Sequence, residues 1–279
     1  MKKSEIKIFL KNFLPPYIYH LMIDLFFKKY GWFGDYKHWN LATQFSEGYD
    51  SNIIFEKVCE ASKKIEHGDA IFERDSLLFF KQDNNWPLLS NLLWISSQQN
   101  GKLSIIDYGG SLGSTFFQHK EYLNKIDIKW NIIEQENFVN YGRLNIIDKK
   151  IHFYLNFEEC YVKSKSNTLL LSSVLPYIEN PFDFIKSILK YNFNYILVDR
   201  TYFTNSSQNR ITIQKISPTI YDASYPCWIF SQKDFEKEFL KRYTIKSEYI
   251  SVGKKIKIYK PTSYFYSKGF FFVKKEDQK

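Results

Sequence analysis

A chain of 279 residues that is 44% hydrophobic and 19% aromatic can fill a sizeable core, which excludes a globally disordered protein. Its three cysteines (Cys59, Cys160, Cys227) lie far apart with no C-x-x-C pair, which excludes a disulfide frame or a cysteine zinc site. The net charge of +9 comes from lysines spread along the chain, so no nucleic-acid partner is expected, and an anionic small molecule is served equally well.

The N-terminal segment Ile6 to Tyr30 mixes lysine with Phe, Leu, Ile and Tyr. It reads as helices packed on the main domain, with peripheral contact to an anionic membrane as the alternative. Met1-Lys2-Lys3 is followed by Lys7, Lys11 and Pro15-Pro16 and not by an uncharged apolar stretch. No run approaches the roughly 18 apolar residues that cross a bilayer, so the expectation is a soluble, cytoplasmic protein. The aromatic, glycine-containing stretch Tyr30–Trp39 reads as an ordered loop. Asp50 is placed to cap a helix carrying Ile54, Val58, Ala61 and Ile65, with Gly68 beyond its end. Pro87 suits the first turn of another, carrying Leu88, Leu92 and Ile95 and closed by Asn100-Gly101. Residues 1–100 therefore read as a helical N-terminal cap, and 101–279 as the main domain.

From Leu103 the rhythm becomes strand, helix, strand. Apolar runs at Leu103–Tyr108, Trp130–Glu134, Ile151–Leu155, Thr168–Ser172 and Tyr195–Asp199 predict strands. Helices are predicted at Ser114–Asn124, Glu136–Ile146 and Pro181–Tyr191, the last with Asn180 as its cap. That alternation predicts a parallel sheet covered on both faces. The end differs: a helix at Gln232–Arg242 precedes two strands, Tyr243–Val252 and Gly269–Val273, with no helix between them.

The first of these strands ends in Ile105-Ile106-Asp107-Tyr108-Gly109-Gly110-Ser111-Leu112-Gly113. Glycines let backbone turn sharply and let a ligand approach it, and the next helix presents free N–H groups. The nicotinamide fingerprint G-x-G-x-x-G would need glycine where Ser111 and Ser114 stand. The pattern acid-x-G-x-x-x-G is met by Asp107, Gly109 and Gly113, with Gly110 between them. The second strand, Trp130-Asn131-Ile132-Ile133-Glu134, ends in an acid 21 residues beyond Gly113, placed to accept hydrogen bonds from both hydroxyls of a ribose.

These two motifs, with the terminal hairpin, make the chain resemble class I S-adenosylmethionine-dependent methyltransferases. More narrowly, it resembles a family of methyltransferases encoded among bacterial surface-polysaccharide genes. The residues that carry the narrower likeness are Phe33-Gly34-Asp35-Tyr36-Lys37-His38-Trp39, Gly48-Tyr49-Asp50, the glycine loop, and Trp130 to Gln135. They continue with Leu171-Ser172-Ser173-Val174-Leu175-Pro176-Tyr177-Ile178, Asp199-Arg200-Thr201 and Ser224-Tyr225-Pro226. The resemblance implies a Rossmann-like α/β fold: a seven-stranded, mostly parallel sheet with the last strand antiparallel, under the helical cap. It implies S-adenosyl-L-methionine as cofactor, held by Asp107, Gly109, Gly110, Gly113, Glu134 and Ser172, with Tyr49 folding over it.

The acceptor is less constrained. Amino-directed nucleic-acid enzymes use a [DNS]-P-P-[YFW] box, but the corresponding place here reads Ser172-Ser173-Val174-Leu175-Pro176-Tyr177. No carboxylate set for a metal can be assembled. Of the histidines, His38 is preferred as a general base over His119 and His152. Arg200 reads either as a clamp for an acceptor phosphate or carboxylate or as a salt-bridge partner. Gln214, Tyr221, Asp222 and Tyr225 fall in an insertion suited to acceptor contacts, with Tyr221 placed among the catalytic candidates. The expectation is methyl transfer, on oxygen, to a small polar acceptor: a sugar, nucleotide-sugar or phosphoryl group in capsule or lipopolysaccharide synthesis. A noncatalytic cofactor-binding subunit of a polysaccharide assembly complex and an RNA methyltransferase remain as alternatives.

Overall fold

The computed structural model describes residues 14, 15, 18, 29–47, 51–218, 220 and 222–276. Tyr49, Asp50 and Tyr221, and nearly all of the segment read as N-terminal helices or a membrane contact, lie outside the described residues.

In chain order the elements are β1 (Gly31–Tyr36), α1 (Trp39–Gln44), α2 (Ser51–Glu66), β2 (Phe72–Arg74), β3 (Leu77–Phe79), α3 (Trp86–Ser97), β4 (Lys102–Tyr108) and α4 (Ser114–Leu123). They continue with β5 (Asp127–Ile133), α5 (Glu136–Asn145), β6 (Ile151–Tyr154), α6 (Phe157–Ser164), β7 (Thr168–Ser172), α7 (Pro181–Ile188) and β8 (Tyr195–Thr204). The chain then forms β9 (Arg210–Lys215), β10 (Ser224–Ser231), α8 (Gln232–Leu240), β11 (Tyr243–Tyr259) and β12 (Ser263–Lys274).

Strands β4, β5, β6, β7 and β8 pair in parallel, and alternate residues feed two separate cores. On one face Ile105, Trp130, Leu170 and Leu197 pack with Leu88, Leu92 and Ile95 of α3, Phe116 of α4 and Phe138 of α5. On the other face Ile106, Leu169, Leu171 and Val198 pack with Cys160 of α6, Ile185 of α7 and Phe235 and Phe239 of α8. All five residues of β7 are buried, as a strand covered on both faces requires. Helix α3 begins where Asn85 accepts a hydrogen bond from the Leu88 N–H (3.3 Å), with Pro87 in the first turn. At α7, by contrast, the Asn180 side chain makes no capping bond, and Pro181 alone sets the start.

The sheet order is β6-β5-β4-β7-β8-β12-β11-β1-β9-β10, and β10 also pairs with β8. The expected seven-stranded sheet is thus corrected to ten strands. The first seven in that order run from β6 to β11, with β12 antiparallel to both its neighbours. Three further strands, β1, β9 and β10, close the far end into a six-stranded barrel with β8, β12 and β11. The stretch expected to be an aromatic loop contains β1. Its Trp32 packs edge-on against Tyr202 (5.4 Å) and Phe265 (5.0 Å) inside the barrel. The first hundred residues are therefore not a purely helical cap, because they supply one strand to the main sheet and the separate hairpin β2–β3. Strand order reverses between β4 and β7, and the carboxyl ends of these strands border the place where ligands bind in open α/β sheets.

Candidate functional site

The chain leaves β4 at Tyr108 and turns through Gly109–Gly113 into α4. Gly109 has φ +71, and a Cβ there would lie 2.8 Å from the Val174 side chain. At Gly110 a Cβ would lie 2.5 Å from a carboxylate oxygen of Asp107, so this backbone rests directly on the buried acid. Gly113, with φ +95, sits at the helix start and offers no side-chain cap to the first turn.

Asp107 is 1% exposed and accepts a hydrogen bond from the Trp130 indole N–H (2.9 Å). Burial pushes its carboxyl up to about 7, against the Trp130 hydrogen bond and the Arg200 charge, which lower it, while Glu134 adds to the rise. Asp107 therefore supports the loop from beneath. Glu134, just past the end of the neighbouring β5, approaches the same loop from the side. Its two carboxylate oxygens accept from the N–H of Ser111 (3.2 Å) and of Gln135 (2.8 Å). Burial raises this carboxyl too, and those two donors oppose the rise.

The opposite wall is built at the ends of β7 and β8, where Ser172 and Asp199 are paired in register. Asp199 is 1% exposed and fully engaged. It accepts from the Asn85 amide (3.1 and 3.2 Å), the Tyr249 hydroxyl (3.1 Å) and the Ser172 hydroxyl (3.1 Å). Tyr249 reaches it only because residue 269 is glycine, since a Cβ there would lie 2.2 Å from the tyrosine ring. The next residue, Arg200, has φ +47, at an irregularity in the β8–β12 ladder, and Ser173 has φ +58. Left-handed backbone at two adjacent non-glycine positions costs roughly 1–3 kcal/mol each and marks a site held in place by its surroundings. The Arg200 Nε donates to Ser172 Oγ (3.3 Å) and lies 3.8 Å from Asp199. Burial disfavours its charge, but Asp75, Asp199, Tyr202 and Glu73 outweigh that and hold the guanidinium above its ordinary range.

Two more groups complete the cleft. The β2–β3 hairpin turns through Asp75 (φ 53) and Ser76 (φ 66), and its Glu73 accepts hydrogen bonds from the Ser114 hydroxyl and the Ser76 N–H (2.9 Å). Toward the barrel, the Tyr177 hydroxyl donates to Gln214 (2.8 Å) and lies 3.2 Å from the Tyr202 hydroxyl. Burial raises both phenols, so these groups stay protonated. Together these walls enclose a cleft of about 1370 Å³, which also takes in Trp39, Phe138 and Tyr225. That exceeds the roughly 300–1,000 Å³ of a single small-molecule pocket, so two reactants fit side by side.

Of the residues singled out from sequence, Asp107, Gly109, Gly110, Glu134, Ser172, Arg200, Gln214 and Tyr225 all line this one cleft. Gly113 shapes the helix start without lining it. His38 is placed elsewhere: it is exposed just before α1, outside the cleft lining, and its carbonyl takes the helix's first bonds. His119 is buried and structural, accepting from the Asn85 N–H (3.1 Å) and facing the Thr115 carbonyl (2.8 Å); burial lowers its pKa. No histidine lines the cleft among the described residues. Sequence reasoning missed Glu73, Asp75, Ser76 and Tyr202, and named Tyr177 only as part of the Leu171–Ile178 stretch. Only the hairpin turn Asp75-Ser76, between short apolar runs, left a signal that could have been read.

No protein-family model matches the chain, and no curated protein sequence matches it. Among solved structures, the chain is similar to the N-terminal domain of EvdMO1 in the presence of S-adenosylhomocysteine and D-fucose. That likeness has 11% identity, covers 82% of this chain and 98% of that one, and has a TM-score of 0.46. It is similar to magnesium protoporphyrin IX methyltransferase from Synechocystis PCC 6803 with S-adenosylmethionine bound (12% identity, 82% and 98% covered, TM-score 0.45). A third is 1,6-didemethyltoxoflavin-N1-methyltransferase from Burkholderia thailandensis, with bound 1,6-didemethyltoxoflavin and S-adenosylhomocysteine (8% identity, 82% and 92% covered, TM-score 0.42). No helix among the described residues is long and apolar enough to cross a membrane.

Proposed function

We propose that this protein is an S-adenosylmethionine-dependent methyltransferase acting on a small polar acceptor. The observation that carries the reading is the meeting of Glu134 with the glycine loop. A carboxylate past the end of β5 stands within hydrogen-bond distance of backbone N–H groups over which a Cβ-free loop is packed. A ribose set there finds an acceptor for both hydroxyls, and Gly109, Gly110 and Ser111 line the cleft beside it for the rest of the cofactor.

When bound, the cofactor supplies an electrophilic methyl group on a sulfonium. Transfer from it is an in-line displacement, so the protein's part is chiefly to hold two reactants close and aligned. The cleft is long enough for that, and the wall toward the barrel offers the Tyr177 and Tyr202 hydroxyls and Gln214 as hydrogen-bonding partners for an acceptor. A sugar or sugar-containing precursor of capsule or lipopolysaccharide, methylated on oxygen, fits both this wall and the sequence resemblance.

The test is turnover of radiolabelled methyl groups with extracted capsule precursors, nucleotide-sugars and bulk RNA offered in parallel. Label in a sugar-containing fraction supports the reading, whereas label in RNA alone refutes the acceptor. Cofactor binding without transfer to any fraction supports the alternative of a noncatalytic subunit.

A further inference from the structure

Asp107, the acid of the glycine loop, accepts from Trp130 and lies under Gly110, where burial favours its neutral form over the charged form an ammonium would need. An α-amino acid moiety seated at this loop needs a cation for its carboxylate and an anion for its ammonium. The structure places such a pair on separate elements that line one cleft. Arg200 lines the cleft and its Nε donates to Ser172 (3.3 Å), at the end of the β7 strand that pairs with β4, from which the glycine loop leaves. Glu73, 3% exposed, is bonded to Ser114, the first residue of α4. Beside it the Ser76 hydroxyl is buried, lines the same cleft and has no hydrogen-bond partner among the described residues. A buried hydroxyl left in that condition is expected to be satisfied by a bound polar group.

We propose that Arg200 and Glu73 form a clamp for the amino-acid end of the cofactor, Arg200 taking the carboxylate and Glu73, with the Ser76 hydroxyl, taking the ammonium. The assignment rests on the cofactor reading above and moves Arg200 from the acceptor to the donor. The Asp75-Ser76 turn, left-handed at both positions as a two-residue hairpin loop requires, lines the same cleft. The hairpin carries the one carboxylate that meets the helix start. Charge matching of this kind is strong because both hydrogen-bonded partners are ionised and withdrawn from water. Burial pushes the Glu73 carboxyl up, against hydrogen bonds from Ser114 and Ser76, and an ammonium beside it favours the ionised form.

The experiment compares two ligands by calorimetry on the full chain. S-adenosylhomocysteine carries the amino-acid end, and 5′-methylthioadenosine has the same nucleoside and sulfur without it. Glu73→Gln and Arg200→Met are each expected to weaken S-adenosylhomocysteine at least 10-fold while leaving methylthioadenosine within twofold of wild type. Unchanged methylthioadenosine affinity also shows that the variants are folded at the nucleoside site. The clamp is overturned if the two ligands weaken together or if S-adenosylhomocysteine is unaffected. Failure of the wild-type protein to bind either ligand sinks the cofactor reading itself, and the clamp with it.

Discussion

Replacing Asp107 with asparagine removes a buried ionisable group while keeping an oxygen that can accept the Trp130 hydrogen bond. In the folded chain burial pushes this carboxyl from its ordinary 3.8 to about 7, despite Trp130 and Arg200. Below pH 4 the carboxyl is neutral in folded and unfolded chains alike, so wild type and Asp107→Asn differ little. Between pH 4 and 7 the unfolded chain releases the proton and the folded chain retains it, so wild-type stability falls relative to the variant. Above pH 7 the gap levels off at about 4 kcal/mol, the free-energy equivalent of that change in proton affinity. The variant should therefore become the more stable protein as pH rises. Urea denaturation of both proteins from pH 4.5 to 8 reads the difference directly. A pH-independent difference, or a wild type that gains on the variant with rising pH, would refute the claim that the loop rests on a buried, proton-retaining acid.

Gly110→Ala drives a methyl group to within 2.5 Å of the Asp107 carboxylate, which is buried and bonded to Trp130, and should lower stability by about 1–3 kcal/mol in thermal denaturation. Glu134→Ala removes the proposed partner of two ribose hydroxyls, about 3 kcal/mol at the usual strength of bonds to a charged acceptor. Roughly 100-fold weaker cofactor binding in calorimetry is expected, and a loss under threefold would contradict the role. Tyr177→Phe strips a hydrogen bond from Gln214, which is 8% exposed, and from Tyr202. It should destabilise the fold by about 1–3 kcal/mol in urea while leaving cofactor affinity within a few-fold. His38→Ala, at an exposed position outside the cleft, should leave methyl transfer unchanged; a large loss of turnover would restore it as a base.

The glycine loop and the acid beneath it were legible because their signals are local. Ile105-Ile106 send side chains to opposite cores, Asp107 ends the run, and the glycines follow within one turn of chain. Glu134 was legible for the same reason, as an acid closing the next apolar strand. The barrel was not legible, because β1 pairs with β9 and β11, each more than 170 residues away in sequence. Gly31 and Gly34 also break up the alternation that would have marked Trp32 and Phe33 as strand residues. Strands β9 and β10 read as an insertion because their partners are each other, β1 and β8, and not the parallel core. Glu73 was missed because an acid in a three-residue strand looks solvent-exposed until Ser114, far along the chain, covers it. His38 was singled out for its aromatic setting, which the structure places just before a short helix on the barrel side.

The central claim, a cofactor site made by the glycine loop and Glu134, is tested most directly by titrating the purified chain with S-adenosylhomocysteine and S-adenosylmethionine. Saturable one-to-one binding of both is expected, with affinity collapsing in Glu134→Ala. Absence of measurable binding of either ligand by the folded wild-type protein would contradict the account.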